Sequence, residues 1–191
     1  MALRTLRCAI EKVAGWHPPL FLEPHIVACA AVLGRYSASP AVVEVDCEGI
    51  TSRWLGKATR IRLEVSWSDE TASQATRLRR TMQSNVLVEM AAVALAMVLA
   101  YRVFPLGHLD VTGYGDRADY RSLSRSTVLE ISGTETLSEL GRRHREKVAQ
   151  ARANPFGWDA CVVVCAFSSR GHRIRFTRHH LEEPARGPSE E

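Results

Sequence analysis

The sequence lacks the motifs that identify several common enzyme classes. Segment 113–116, Gly-Tyr-Gly-Asp, comes nearest to a Gly-rich phosphate loop, but no Lys followed by Ser or Thr comes after it. The chain also has no Gly-x-Ser-x-Gly nucleophile elbow, and no internal repeat is visible. These absences argue against a P-loop nucleotide hydrolase, an α/β-hydrolase and a repeat protein.

The cysteines do not form the pattern of a disulfide framework. There are 5 of them, an odd number, and no Cys-x-x-Cys pair occurs. Cys161 and Cys165 lie four positions apart in a strand-like run, which is too far along a strand for them to bond to each other. We therefore expect buried, reduced thiols in a cytoplasmic protein.

Targeting and membrane signals are weak as well. The N-terminal stretch carries charges every few residues and has no apolar core of the kind found in signal peptides. The strongest apolar run, 86–100, contains Glu89 and is shorter than the ~20 residues that a membrane span needs. The sequence predicts a buried helix there and no membrane association.

The composition indicates a globular chain with a basic second half. The 191 residues are 46% hydrophobic and 24% charged, with a net charge of +4, which is enough for one domain with a small subdomain. Segment 121–180 contains eleven Arg or Lys against five Asp or Glu. This local excess of positive charge favours an anionic partner.

The first third of the chain predicts a small α+β subdomain. Apolar residues recur at helical spacing in 2–14, and a second short helix is expected at 25–33. Segments 42–48 and 60–67 alternate strictly between apolar and charged residues, which is typical of half-exposed antiparallel strands. Acidic residues on the first strand and basic ones on the second favour cross-strand pairs.

The remainder predicts an alternation of helices and strands. A long helix is expected to begin at Ser68 or Asp69, either of which could cap it, and to end near Arg102. A capping box at Thr136 begins another helix. The expected strands are 108–114, 118–123, 127–132, 161–167 and 173–177. The fourth of these is apolar enough to be buried on both faces and parallel to the third, and the fifth alternates as an edge strand does.

The sequence divides accordingly into three regions. Residues 1–67 are expected to form the N-terminal subdomain of helices and a β-hairpin, and residues 68–180 the main core. Residues 181–191 are acidic and contain proline without apolar periodicity, so they predict a disordered tail.

Two carboxylates are expected to face each other in the central hairpin. If Ser124 and Arg125 form a two-residue loop, Asp119 lies opposite Glu130, with Cβ atoms ~5 Å apart. Carboxylates at that separation repel unless a cation or a proton lies between them. Asp116 is a competing candidate, but its Gly-Asp-Arg setting is typical of a local turn.

The element order resembles a known family of nucleases. An αβββαβ order, with an Asp on the second strand and Glu-x-polar on the third, is similar to the PD-(D/E)XK, or restriction-endonuclease-like, superfamily over about residues 70–178. The resemblance implies an α+β or α/β fold with a restriction-endonuclease-like core around a central mixed sheet. In that family the Asp and Glu bind a metal, usually Mg²⁺, and a Lys two positions after the Glu positions the attacking water.

By this resemblance, Asp119 and Glu130 are expected to bind Mg²⁺ or Mn²⁺. Glu89 corresponds to the acidic residue that many members carry on the first core helix. A serine, Ser132, stands where the family has its lysine. Some members take this positive charge from the following helix, and Lys147 is the first candidate to supply it here.

Arginines around Lys147 favour a nucleic-acid partner. Arg143 is a second candidate for the missing charge, and Arg142, Arg143 and Arg145 are expected to contact phosphates. The leading hypothesis is a metal-dependent nuclease that cuts DNA rather than RNA, with a protein partner or homodimer for targeting and, by resemblance alone, a role in prokaryotic defence or mobile elements. The alternatives are a catalytically degenerate subunit that binds nucleic acid or protein, and an oligomerising scaffold unrelated to nucleases.

Overall fold

The computed structural model describes residues 3–113 and 115–181. Apart from Leu181, the predicted acidic tail lies outside the described residues. The strands are β1 (Arg4–Ala9), β2 (Ala41–Glu48), β3 (Arg60–Ser66), β4 (Asp110–Val111), β5 (Tyr120–Ser122), β6 (Thr127–Thr134), β7 (Asp159–Ser168) and β8 (Gly171–His179). The α-helices are α1 (Lys12–Trp16), α2 (Glu23–Leu33), α3 (Asp69–Thr81), α4 (Ser84–Arg102) and α5 (Leu140–Arg152).

All the described strands belong to one mixed sheet, in the order β1-β3-β2-β8-β7-β6-β5-β4. The pairs β1–β3, β2–β8 and β6–β7 are parallel, and the other neighbours are antiparallel. The fold is therefore α+β with a central mixed sheet, as expected. The strands on both sides of the predicted boundary at residue 67 contribute to this sheet.

The predicted helix over 2–14 is wrong, because most of that segment is β1 followed by the short α1. Leu6 and Cys8 are buried where β1 runs parallel to β3, whereas Leu3, which the helical spacing required on the apolar stripe, is 54% exposed. Leu6, Cys8 and Ile10 alternate as strand residues do, but Leu3, Leu6 and Ile10 also happen to fall at helical spacing. Hydrogen bonds to a strand more than fifty residues away decide the conformation here.

The predicted pairing of the next two strands is confirmed. β2 and β3 are antiparallel, with Glu44 opposite Arg62 and Asp46 opposite Arg60. The Asp46 carboxylate forms an ion pair with Arg60 at 2.7 Å.

The expectation of an edge position for 173–177 is wrong. β8 lies inside the sheet, between β2 and β7. Its alternation arises because Arg173 and Arg175 lie on a face where they form ion pairs with Glu44 and Glu48 of β2. A period-2 pattern therefore indicated one open face and not a free edge.

The long helix predicted from Ser68 to Arg102 is two helices. Ser68 caps α3 as expected, since its side chain accepts a hydrogen bond from the Thr71 amide. The chain then leaves the helical conformation at Met82 and Gln83, both of which have extended backbone angles, and α4 begins at Ser84. No proline or glycine marks this break, so the sequence pattern gave no signal for it.

Helices cover one face of the sheet, and α5 covers the other face at β6 and β7, which leaves the opposite face of β2 and β3 open. α4 packs on α2 and on β6 in the larger apolar core, and α5 packs on β6 and β7 over a smaller core. α4 is long and apolar enough to cross a membrane by length and composition, but most of its residues are buried within the protein. The cysteines are all buried free thiols, as expected.

Strand β7 confirms the prediction of a buried parallel strand, with Cys161–Phe167 buried throughout and β6 as its parallel neighbour. β6 is itself buried along its whole length. Of the three predicted strands before α5, β4 is reduced to two residues and β5 to three. The long β6 therefore extends beyond its short neighbour, and this overhang positions the candidate site.

Candidate active site

The centre of the site is an ion pair between β6 and α5. Glu130 has no solvent-exposed side-chain surface, and Lys147 reaches it from one side with a side chain that is 26% exposed. The Lys147 Nζ donates a hydrogen bond to Glu130 Oε1 and another, of 3.3 Å, to Gln150 Oε1. The second carboxylate oxygen, Glu130 Oε2, is buried and has no hydrogen-bond partner among the residues that the structure describes.

The surroundings of Glu130 disfavour its negative charge. Burial, followed by the nearby Asp119 carboxylate, raises the pKa of Glu130 to about 7. The hydrogen bond and positive charge of Lys147 act in the opposite direction but do not cancel the effect. Near neutral pH this carboxyl can therefore exchange a proton, and a second cation nearby would stabilise its charged form.

Asp119 lies close to Glu130 but one residue before β5, where its amide donates to the Leu129 carbonyl instead of continuing the regular ladder. The β5–β6 ladder pairs Tyr120 with Leu129 and continues to Ser122 with Thr127, which is the register expected from a loop at Ser124 and Arg125. A short 3₁₀ turn forms that loop.

The Asp119 carboxylate is held by the backbone of the neighbouring strand. Its Oδ2 accepts a hydrogen bond of 2.7 Å from the Ile131 amide. Loss of hydration raises the pKa of Asp119, whereas the Ile131 amide and the Lys147 charge lower it. Glu130 and Asp119 are thus mutually repelling carboxylates that share Lys147 as a nearby cation.

Glu89 joins the same site, although not in the apolar setting that its sequence context suggested. It lies on α4 with its side chain 49% exposed. Its Oε2 accepts a hydrogen bond of 2.7 Å from the Gly133 amide, and its Oε1 accepts one of 3.2 Å from the Ser132 hydroxyl. The carboxylate therefore reaches past the apolar core to the rim of the sheet.

Asp119 and Glu89 together cap the overhanging edge of β6. Beyond the end of the β5 ladder, the next amides on this side of β6 are those of Ile131 and Gly133, and each donates to one of these carboxylates. Unpaired edge amides are a liability in sheets, and charged acceptors satisfy them strongly. The sequence pattern gave no signal for this role, because it predicted a strand over 118–123 where the structure has the three-residue β5.

A close approach of α4 to β6 brings Glu89 to this edge. A Cβ atom at Gly133 would lie 2.4 Å from the Val88 carbonyl oxygen. Only glycine permits that separation, so the helix residue next to Glu89 rests directly on the strand backbone.

Arg143 occupies the neighbourhood of Ser132. Its Nη1 lies 3.3 Å from the Ser132 hydroxyl and 3.5 Å from Glu89 Oε1. One turn further along α5, Lys147 makes the contact with Glu130. Both residues that the sequence nominated as sources of positive charge thus point into the site.

The other predicted phosphate-binding arginines are arranged differently. Arg142 forms ion pairs with Glu139 and Glu146 on the solvent side of α5, and these raise its pKa. Arg145 is exposed on the same helix. Arg142 and Arg145, three positions apart, share the outer side of α5, whereas Arg143 lies one and two positions from them and does not face the same way. Arg142 is in addition neutralised by its two ion pairs.

Asp116, the competing acidic candidate, serves a turn. Its Oδ2 accepts a hydrogen bond of 2.7 Å from the Gly113 amide. This is the capping role that its Gly-Asp-Arg context favours.

The residues of the site fit a single divalent cation only in part. Within residues 3–113 and 115–181, no group of three or more His, Cys, Asp or Glu side chains is arranged to hold a metal. Mg²⁺, however, takes one or two protein carboxylates and fills its other positions with water and phosphate oxygens. If the site binds such a cation, the buried Glu130 Oε2 and the neighbouring Asp119 carboxylate would be its pair of ligands.

Comparisons with protein-family models, curated proteins and solved structures found no match to this chain. The geometry of the site is therefore the basis for its functional interpretation.

Proposed function

We propose that this protein is a metal-dependent nuclease that hydrolyses phosphodiester bonds in DNA. The observation that carries the proposal is the contact of Lys147 with Glu130, beside Asp119. The lysine that the nuclease motif would place at Ser132 is replaced by one from the following helix, which reaches the same carboxylate. The site then contains two acidic groups and a cation, the residue types that this chemistry requires.

The order and direction of the surrounding elements support the proposal. α4 is followed by the antiparallel strands β4, β5 and β6, then by α5, and then by β7 parallel to β6. This is the αβββαβ sequence of elements that the resemblance to PD-(D/E)XK nucleases implies. The acidic residues fall on the corresponding elements, with Glu89 on the first helix and Glu130 on the third strand.

Asp119 and Glu130 would hold the divalent cation, Mg²⁺ or Mn²⁺. When bound, such a cation lowers the pKa of a water ligand and polarises a phosphodiester. Glu130 Oε2 is free to act as a ligand, and its carboxyl must lose a proton whose pKa is about 7 to do so. The Ile131 amide fixes the orientation of Asp119.

The cationic side chains would stabilise the charge that develops on the phosphate. Lys147 presents its ammonium group at the buried carboxylate while part of its side chain remains open to solvent. A preorganised cation at such a position contributes to catalysis because it needs no rearrangement when the negative charge appears. Arg143, held at Ser132, is the second cation facing the site.

A second candidate function is binding without cleavage. It is favoured by Glu89, whose two oxygens are already occupied by Gly133, Ser132 and Arg143. A protein that retained this network for stability alone would bind nucleic acid through its basic groups and leave it intact.

A cleavage assay separates the two functions. Supercoiled and single-stranded DNA are incubated with wild type and with Glu130→Gln, each with Mg²⁺, with Mn²⁺ and with EDTA. We expect nicking by wild type in the presence of metal, and its loss in EDTA and in the variant. Intact DNA with wild type under every metal condition, together with retained DNA binding, would favour the second candidate.

A further inference from the structure

An aromatic stack lies at the end of α4 remote from the candidate active site. The rings of Trp16 and Tyr101 are parallel, with centroids 4.7 Å apart and an interplanar angle of 4°. The guanidinium of Arg102 lies over the Trp16 ring, 5.6 Å from its centroid. Tyr101 is 44% exposed, so the stack is open to solvent.

A third aromatic residue, Trp54, extends this surface. Trp54, in the loop between β2 and β3, is partly buried, and the Arg4 guanidinium lies 5.9 Å from its ring centroid. An open cavity of about 380 Å³ lies between the two aromatic groups and is lined by Ser52, Arg53, Trp54, Arg102, Val103 and Pro105. Arg102 borders both the cavity and Trp16, which makes the surface continuous.

The charge of this surface is of one sign. Three arginines, Arg4, Arg53 and Arg102, border it, and no acidic residue lines its cavity. Among the ion pairs of the described residues, none involves these three side chains. This contrasts with the open face of the sheet, where arginines such as Arg60 and Arg175 are paired with carboxylates.

We propose that Trp16, Trp54, Tyr101 and the three arginines form a binding platform for single-stranded nucleic acid. Proteins that bind single strands without sequence preference combine aromatic side chains, on which bases stack, with arginines that contact the backbone. An apolar cavity beside Trp54 suits the flat face of a base. The guanidiniums, of which Arg4 donates a hydrogen bond to the Trp54 carbonyl and none forms an ion pair among the described residues, suit the phosphates of a strand. Duplex DNA has no free base faces to offer.

The platform and the candidate active site are joined by α4. Glu89 and Arg102 are thirteen residues apart on this helix, which corresponds to ~20 Å along its axis. A single strand held on the platform would need only a few nucleotides to reach the acidic site. That the bound strand is a substrate rests on the proposed function. Binding of the strand to the platform does not require cleavage.

The test measures binding in a protein that cannot cut. Glu130→Gln serves as the parent, in EDTA, and fluorescence anisotropy reports its affinity for a 5′-labelled oligothymidine of twenty nucleotides and for a duplex of equal length. Trp54→Ala is expected to weaken binding of the single strand about tenfold, given the usual contribution of one stacked base. Because Trp54 packs partly against the core, Arg53→Glu on an exposed side chain is the second variant.

A matched control separates the platform from general charge. Arg80 is exposed on α3, so Arg80→Glu changes the net charge as much as Arg53→Glu does. We expect the Arg53 variant to lose single-strand affinity at least tenfold and the Arg80 variant to lose much less. Equal losses in both, no loss in the Trp54 and Arg53 variants, or tighter binding of duplex than of single strand would each overturn the proposal.

Three further results distinguish this proposal from other functions. Binding to anionic lipid vesicles through Arg53 and Trp54, without binding to the oligonucleotide, would overturn it in favour of a membrane surface. If wild type cleaves DNA but both platform variants bind and cut as well as wild type does, the proposed nuclease stands and the platform fails. If the platform binds while no cleavage is found, the platform stands and the nuclease fails.

Discussion

Lys147 of α5 donates a hydrogen bond to Glu130, the fully buried carboxylate of β6, and leaves the second oxygen of that carboxylate without a partner. A buried acidic group with one free oxygen costs stability, since burial without complete hydrogen bonding is unfavourable. Such an arrangement is typical of functional sites, where stability is given up for reactivity.

The buried carboxyl of Glu130 should make stability fall as the pH rises. Its folded pKa of about 7 lies above the ordinary glutamate pKa of 4.5, so the folded protein binds a proton that the unfolded chain releases. Stability contributed by this proton is present below pH ~4.5 and is lost between pH ~4.5 and ~7. The loss is at most about 3 kcal/mol.

Glu130→Gln provides the comparison, because its amide does not titrate. Urea unfolding of wild type and variant at pH 5 and pH 8 should show wild type losing stability relative to the variant at the higher pH. The raised pKa of Asp119 also lowers stability as the pH rises. Because Asp119 is present in both proteins, its contribution largely cancels when the two unfolding free energies are subtracted. A difference in unfolding free energy that is the same at both pH values would contradict the raised pKa.

Removing the lysine should expose the cost of the buried charge. In Lys147→Met the Glu130 carboxylate loses its hydrogen bond to a cation, so the variant should lose about 2 kcal/mol of stability at pH 8. At pH 5 the carboxyl is protonated and the loss should be smaller. Lys147→Arg, which keeps the charge, is the control in the same unfolding measurement, and a loss independent of pH would show that packing alone is responsible.

The register of β5 on β6 and the contact of Lys147 with Glu130 could be predicted from sequence, because both depend on residues close in the chain. Alternation and a short loop determined the β5–β6 register, and helical spacing brought Lys147 within reach of the site. The exposure of Glu89 and its bond to Gly133 could not be predicted, since they depend on how closely α4 approaches β6. The same holds for β1, whose partner strand is distant in sequence.

Capping of the β6 edge should protect two specific amides. Asp119→Ala removes the acceptor of the Ile131 amide, and Glu89→Ala removes that of the Gly133 amide. Hydrogen bonds to charged groups are worth about 1.5–3 kcal/mol, so exchange at each amide should accelerate tenfold or more. Hydrogen exchange followed by NMR would resolve the two residues.

Each of these variants also serves as the control for the other. The Ile131 amide should respond to Asp119→Ala and not to Glu89→Ala, and the reverse should hold for Gly133. Equal acceleration at both amides in either variant would indicate general destabilisation instead of local capping.

The close approach of α4 should make Gly133 intolerant of any side chain. Its Cβ position lies 2.4 Å from a backbone oxygen of Val88, so Gly133→Ala must displace the helix or the strand. We expect a loss of about 1–3 kcal/mol in unfolding free energy. Gly141→Ala, in α5, meets only the flexible end of Arg145 at 3.8 Å and should leave stability unchanged or raise it by about 0.5–1 kcal/mol.

In the proposed mechanism, Lys147 supplies the positive charge that the nuclease motif would place at position 132. The most direct measurement is the rate of Mg²⁺-dependent DNA cleavage by wild type, Lys147→Met, and Lys147→Met combined with Ser132→Lys, all verified as folded by circular dichroism. We predict that the single variant loses at least a hundredfold in rate and that the lysine introduced at position 132 restores part of it. Cleavage by Lys147→Met at the wild-type rate would show that Lys147 does not supply this charge.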